Sequence, residues 1–147
     1  RHATDISAAA LVVARTNARR LGLQRRVTFH RGDLLGPIIT LSRQVDLVVS
    51  NPPYVDPVER QRLAPEVLHY EPPTALFALE PFPDIYARLA RGAARVLRPG
   101  GALIVEIGLD QATAVAQALA GAGLDVAETR RDLGGIPRAV VALRTRC

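Results

Sequence analysis

The most constraining feature of the sequence is an apolar run at residues 45–49 that two prolines bring to an abrupt end. Its apolar residues are mostly β-branched, which is typical of a strand covered on both faces. Neither Pro52 nor Pro53 can donate a hydrogen bond to a neighbouring strand, so the strand must stop before them. Asn51 is therefore expected just past the carboxyl end of a strand, where α/β sheets usually bind ligands.

Predicted helices and strands alternate along the chain, which indicates an α/β layer fold. The first helix is bracketed by Ser7, a good N-cap, and by Gly22, which suits a left-handed C-terminal cap. A strand is expected at residues 27–30. A helix over residues 84–98, ended by Pro99-Gly100-Gly101, precedes a buried strand at 102–108 that contains Glu106, and Asp110 is expected to cap the next helix. Strands at 125–130 and 138–143 should form an antiparallel hairpin.

Composition limits the class of protein. With 147 residues, 48% of them hydrophobic and 22% charged, the chain is long and apolar enough for one folded domain. The net charge of +5 comes from arginines scattered over helices and turns, so it predicts no single nucleic-acid surface. The one cysteine, Cys147, provides neither a disulfide framework nor a metal cluster, and it fits a reduced, cytoplasmic setting.

Asp5 lies where a strand should end and the first helix begin. In nucleotide-binding α/β folds an acidic residue at this place accepts hydrogen bonds from both ribose hydroxyls. The alternative is an ordinary helix-capping aspartate, and the residue alone does not decide between them. His30 is expected to be a surface strand residue without a partner, and no catalytic base.

The sequence Asn51-Pro52-Pro53-Tyr54 resembles the signature of S-adenosylmethionine-dependent methyltransferases that act on a nitrogen in a planar, conjugated group. The lone pair of such a nitrogen is delocalised, so it is a poor nucleophile. The resemblance implies that the Asn51 side chain and the Pro52 carbonyl accept its two N–H groups, while Tyr54 stacks on the plane. A plain strand-ending turn is the alternative.

More of the chain is similar to the HemK-type release factor glutamine methyltransferases, which methylate the glutamine amide in the Gly-Gly-Gln loop of peptide chain release factors. The resemblance rests on these segments: Asp5-Ile6-Ser7, Ala10-Leu11, Asn17-Ala18, Gly32-Asp33, Val49 to Val55, Pro65-Glu66-Val67, Tyr70-Glu71-Pro72, Ala75-Leu76, Leu97 to Gly101, Glu106-Ile107-Gly108 and Arg131-Asp132-Leu133. It implies a Rossmann-like class I methyltransferase fold, with a mostly parallel sheet and the antiparallel C-terminal hairpin. It also implies S-adenosyl-L-methionine as the cofactor, bound by Asp5, Ile6, Asp33, Leu34 and Asn51, with release factors as partners and nucleic acid involved only indirectly. Asn51, Pro52, Pro53 and Tyr54 are then the catalytic group, and no metal is expected.

The sequence departs from this family at its start. The family has a helical N-terminal domain, and then a first strand with a glycine-rich turn that approaches the cofactor. Neither that strand nor that turn is found here, so residues 1–147 are expected to be a partial catalytic domain. Two alternatives remain open: an adenine-N6 methyltransferase of DNA or RNA, and an inactive remnant of the family. The proline-rich segment from Tyr54 to Pro83 is interpreted as a lid or docking loop, in which Glu66, Tyr70 and Glu71 have no assigned chemistry.

Overall fold

The computed structural model describes residues 1–53 and 82–145. The chain divides into two compact units, Arg1–Gln44 and Val45–Cys147, and each contains its own sheet. Within the described residues, no helix has the length and apolarity needed to cross a membrane.

The first unit is a pair of parallel strands connected by a helix. Strand β1 (His2–Asp5) leads into α1 (Ala8–Arg20), and β2 (Thr28–Arg31) then pairs parallel to β1. The strand β2 begins one residue later than the predicted strand. A short helix, α2 (Gly36–Thr40), follows.

Both predicted caps of α1 are confirmed. The Ser7 hydroxyl accepts a hydrogen bond from the Ala10 N–H at 3.2 Å, and Gly22 has a φ of 68°. Only glycine adopts that left-handed conformation without steric cost. The reversal lets the Leu23 N–H donate to the Ala18 carbonyl at 2.7 Å, so the last turn of the helix is satisfied as the chain leaves it.

The described part of the second unit is a mixed sheet with two helices. Its described elements are β3 (Val45–Ser50), α3 (Asp84–Val96), β4 (Leu97–Glu106), α4 (Ala112–Gly121), β5 (Leu124–Arg131) and β6 (Pro137–Arg144). The strand order is β3-β4-β6-β5. Strand β3 is parallel to β4, whereas β6 is antiparallel to both β4 and β5. The predicted C-terminal hairpin is therefore confirmed.

The core of this unit lies between its helices and one face of the sheet. Helix α3 buries a stripe of Ile85, Leu89, Ala93 and Val96, and α4 contributes Val115 and Leu119. These side chains pack with inward residues of the sheet, among them Leu103, Val105, Val140 and Ala142. The helical period of 3.6 and the strand period of 2 place all of them on the buried side.

The prediction that β3 is covered on both faces is wrong. Val48 is buried, but Leu47 is 51% exposed and Val49 is 68% exposed. Alternate side chains of a strand point to opposite faces, so these two belong to the face opposite Val48. In the four-stranded sheet β3 is an edge strand, and the packing described for this unit covers only one of its faces.

The expectation that Pro99-Gly100-Gly101 ends the helix is wrong. Helix α3 already ends at Val96, and the three residues lie inside β4, where the pairing to β3 shifts register between Val45 and Leu47. A Cβ atom on Gly101 would lie 3.0 Å from the Asp46 carbonyl oxygen, so this irregular pairing needs glycine.

Asp110 does not cap α4. The N-cap residue is Gln111, and Asp110 instead has a φ of 59° in the tight turn before it. Aspartate tolerates this left-handed conformation better than most residues, which explains why it stands at the turn.

Candidate functional site

In the first unit, the parallel strands bring four predicted cofactor residues to one edge of the sheet. Asp5 and Arg31 are opposite each other at the carboxyl ends of β1 and β2, and the Gly32 N–H donates to the Asp5 carbonyl at 3.0 Å. The residues that follow each strand therefore leave from the same edge. They are Ile6 after β1, and Asp33 and Leu34 after β2.

The carboxylate of Asp5 is fixed by the start of α1. Its Oδ1 accepts a hydrogen bond from the Ser7 N–H at 2.7 Å, which is the capping role that the sequence left open. Among residues 1–53 and 82–145, no side chain or N–H donates to Oδ2. The cap and a bound hydroxyl group would therefore use different oxygens, and the two interpretations of Asp5 are compatible.

The loop after β2 is held against β1. The Thr4 hydroxyl donates to the Leu34 carbonyl at 2.7 Å, and Leu34 itself has a φ of 43°. A non-glycine residue in this left-handed region stores backbone strain, which proteins often retain at functional sites. Gly32 is required in the same loop, because a Cβ atom there would lie 2.4 Å from Pro37 Cγ.

This edge has the chemistry that a nucleoside requires. Asp5 offers a carboxylate oxygen to hydroxyl groups, and Ile6, which is 53% exposed, offers apolar contact area beside it. The half-buried Leu34 adds a second apolar side chain from the neighbouring loop. The residues present therefore fit the adenosine part of S-adenosylmethionine.

Sequence reasoning missed Thr4 and Arg31 at this edge. Thr4 bonds to a residue 30 positions away, and the Arg31 Nε lies 3.5 Å from the Ile6 carbonyl oxygen. Neither residue belongs to a motif. The only available signal was their position next to a predicted strand end.

The first unit also corrects the interpretation of His30. The Nε2 atom of His30 lies 2.9 Å from Nδ1 of His2 on the neighbouring strand, so His30 does have a partner. Burial lowers the pKa of His2, and the charges of His30 and Arg43 lower it further. The pair joins two strands, and its rings lie on the body of the sheet rather than in the loops at its carboxyl edge.

In the second unit, Asn51 directly follows the last residue of β3, as expected. Asn51 is exposed, Pro52 is buried and Pro53 is half-buried. The buried Pro52 anchors the backbone, while the exposed amide of Asn51 stays available to a ligand. Tyr54, like Glu66, Tyr70 and Glu71, lies outside the described residues.

A half-buried polar cluster supports the loop after β4. The Tyr86 hydroxyl donates to the Glu106 carbonyl at 3.0 Å, and the side chain of Tyr86 is completely buried. The Gly108 N–H donates to Oε1 of Gln111 at 3.0 Å. Glu106 ends β4 with its side chain exposed, so the charge predicted within a buried strand lies at the edge of the sheet. No sequence pattern identified Tyr86 or Gln111.

Comparison with known proteins agrees with these features. The family model described as "RMKL-like, methyltransferase domain" matches residues 2–71. The release factor glutamine methyltransferase of Clostridium acetobutylicum is 40% identical over 141 residues, which are 96% of this chain and 50% of that protein. The release factor glutamine methyltransferase of Cereibacter sphaeroides is 44% identical over 140 residues, which are 95% of this chain and 49% of that protein. The chain thus spans about half the length of these relatives.

The fold is also that of solved methyltransferases. The crystal structure of TrmN from Thermus thermophilus matches with a TM-score of 0.66 and 22% identity, over 97% of this chain and 36% of that one. At this identity the likeness concerns the fold alone. The expected α/β class I methyltransferase fold, with its antiparallel C-terminal strands, is confirmed.

Proposed function

We propose that this chain, which is 40% and 44% identical to two release factor glutamine methyltransferases, takes part in N5-methylation of a glutamine side chain in the Gly-Gly-Gln loop of peptide chain release factors. We regard residues 1–147 as part of the catalytic domain of such an enzyme. The reduced state implied by its single cysteine fits the cytoplasm as its compartment.

We propose S-adenosylmethionine as the methyl donor. It supplies an electrophilic methyl group on a sulfonium. Asp5 would accept the ribose hydroxyls through Oδ2, while Ser7 keeps Oδ1 in place. Ile6 and Leu34 would contact the adenine, and Asp33 would accept its amino group. Support for these roles comes from the convergence of both loops at one edge of the β1–β2 pair.

Asn51 and the Pro52 carbonyl would act on the substrate amide. As two acceptors they would hold its two N–H groups and favour a more tetrahedral nitrogen, whose lone pair then points out of the amide plane. The methyl donor would supply the methyl group and keep the electron pair of the broken methyl–sulfur bond on its sulfur, while the substrate nitrogen would pass its proton to solvent. Orientation and fixed dipoles supply the catalysis in this account, so no strong base is needed.

The observation that carries the proposal is the exposed Asn51 on a proline-anchored strand end, in a chain 40% identical to a release factor glutamine methyltransferase. The test is Asn51→Ala in the full-length protein, with Asn17→Ala as the matched control, since Asn17 is an exposed residue of α1. We expect turnover to fall at least about 100-fold, because a preorganised polar contact is lost, with cofactor affinity changing far less. The control should keep wild-type turnover.

The acceptor is identified in the same assay by mass spectrometry. Release factor, DNA and RNA are each offered with S-adenosylmethionine, and we expect methyl groups on glutamine alone. Methylation of adenine would show that the substrate is a nucleic acid and that the proposed substrate is wrong. If turnover of Asn51→Ala stays within about tenfold of wild type, Asn51 does not have the proposed catalytic role.

A further inference from the structure

The turn between β5 and β6 is a rigid structure with a leucine at its tip. Oδ1 of Asp132 accepts hydrogen bonds from the N–H groups of Gly134 at 2.9 Å and Ile136 at 3.0 Å. Oδ2 of the same carboxylate accepts from Nε of Arg138 at 3.1 Å. Leu133 lies within this network, and its side chain is fully exposed. The turn therefore presents an apolar side chain that the described residues of this unit leave exposed.

The loop after β4 has a similar form. The Gly108 N–H donates to Oε1 of Gln111, and Asp110 reverses the chain with its positive φ. Leu109, between these two fixed residues, is 63% exposed. Single exposed leucines are common on protein surfaces. Two exposed leucines that are each held on a hydrogen-bonded turn are less common than a single exposed leucine.

Both turns leave the sheet at the edge where Asn51 lies. Strands β3 and β4 are parallel, with Ser50 opposite Val105, so Asn51 and the loop after β4 emerge on the same side. The Ile107 N–H donates to the Arg138 carbonyl at 3.0 Å, which brings the turn before β6 to that side as well. The exposed amide and the two leucines thus share one edge of a single sheet.

We infer that Leu109 and Leu133, together called the apolar rim, bind the protein that presents its glutamine to Asn51; this inference rests on the proposed function. A glutamine in a folded protein cannot reach Asn51 unless the protein surface around it meets this edge. Apolar side chains on rigid turns favour such contact, because little conformational entropy is lost when they are covered.

The charges of the rim favour a protein over a nucleic acid. Arg138 of β6 is paired with Asp132, Arg131 donates to the Gly135 carbonyl within the turn, and Asp110 lies next to Leu109. Binding of nucleic acid relies on basic side chains that neutralise phosphates. The rim instead offers apolar area next to carboxylates.

The test compares the double variant Leu109→Ser/Leu133→Ser with Leu21→Ser, all in the full-length protein. Leu21 is 71% exposed at the end of α1 in the first unit and does not belong to the rim, so its replacement is a matched loss of a surface leucine. Methylation of intact release factor is measured as kcat and KM, with S-adenosylhomocysteine affinity by calorimetry. We expect KM for release factor to rise roughly tenfold in the double variant, with kcat and cofactor affinity unchanged. The control should match wild type.

Three outcomes overturn the inference. A KM within about twofold of wild type shows that the rim does not bind the substrate. A lower kcat at unchanged KM shows that the leucines serve the catalytic geometry instead. A wild-type dimer that the double substitution converts to monomer, measured by light scattering, assigns the rim to a second copy of the chain. If the wild-type protein methylates no release factor, the proposed function itself fails, which is a different result from all three.

Discussion

The hydroxyl of Thr4 donates a 2.7 Å hydrogen bond to the carbonyl of Leu34, and this bond fastens the loop after β2 to the strand β1. Leu34 is held there with a φ of 43°, a conformation that costs energy for any residue with a Cβ atom. The bond therefore helps to fix a strained loop at the proposed cofactor edge.

Replacing Thr4 with valine should loosen this loop and weaken cofactor binding. Valine keeps the shape and the β-branching but removes the donor, a loss of about 1 kcal/mol. We expect S-adenosylhomocysteine affinity to fall roughly fivefold in calorimetric titration of the full-length protein. Thr16→Val is the matched control, because the Thr16 hydroxyl also bonds to a backbone carbonyl, that of Val12, but within α1. Equal affinities of the two variants would show that the Leu34 loop does not depend on Thr4.

Replacing Asp5 with asparagine separates the two roles of its carboxylate. The amide oxygen of asparagine can still accept the Ser7 N–H, so α1 and thermal stability should be retained. The amide NH₂ group cannot accept a hydrogen bond from a ribose hydroxyl. We therefore expect cofactor affinity to fall about tenfold or more, as for a lost hydrogen bond to a charged group.

The control for this experiment is Asp46→Asn, since Asp46 is an exposed residue of the second unit that pairs with Arg98. Its cofactor affinity should equal that of wild type. If Asp5→Asn binds cofactor normally, Asp5 is only a helix cap.

The local features of the fold were predictable because a few neighbouring residues determine them. Ser7 and Gly22 cap α1 through bonds within four or five residues, and the burial stripe of α3 follows from its own period. The position of Asn51 after β3 was also predictable, since prolines stop a strand wherever it lies in a sheet. The start of α4 was not predictable, because Asp110 is the better N-cap by residue type, yet the turn that gives it a φ of 59° leaves Gln111 at the N-cap position.

Non-local features could not be predicted. Leu47 and Val49 are covered only if another element packs on their face of the sheet, and no pattern within residues 45–49 encodes that packing. The Thr4 to Leu34 bond joins residues 30 positions apart. No sequence pattern marks Thr4 as the donor, because the bond forms only when β1 and β2 pair.

The stability of the first unit should fall in mild acid because of His2. Its folded pKa is lowered, so the unfolded chain, with a histidine pKa near 6.5, binds more protons as the pH falls through that value. The stabilising effect of neutral His2 is complete above pH 6.5 and is lost below it. In thermal melts of the chain between pH 8 and pH 5, the melting temperature should therefore fall more steeply with pH for wild type than for His2→Gln.

The variant His30→Gln tests the cause of this dependence. Removing the second imidazole removes one of the charges that oppose protonation of His2. The fall in melting temperature of His30→Gln with decreasing pH should be intermediate between those of wild type and His2→Gln. Identical slopes for all three proteins would show that the pair does not couple protonation to folding.

Replacing Tyr86 with phenylalanine tests the support beneath the loop after β4. The ring should still pack edge-to-face on Phe82, with centroids 5.9 Å apart, so the change removes mainly the hydroxyl. The Glu106 carbonyl then loses a donor 3.0 Å away in a buried site, and we expect the free energy of unfolding to fall by about 1–2 kcal/mol in urea titrations. Thr40→Val is the control, because its hydroxyl bond to the Gly36 carbonyl is exposed and water can replace it. A loss in Tyr86→Phe no larger than in this control would mean that the hydroxyl adds nothing to the stability of the loop.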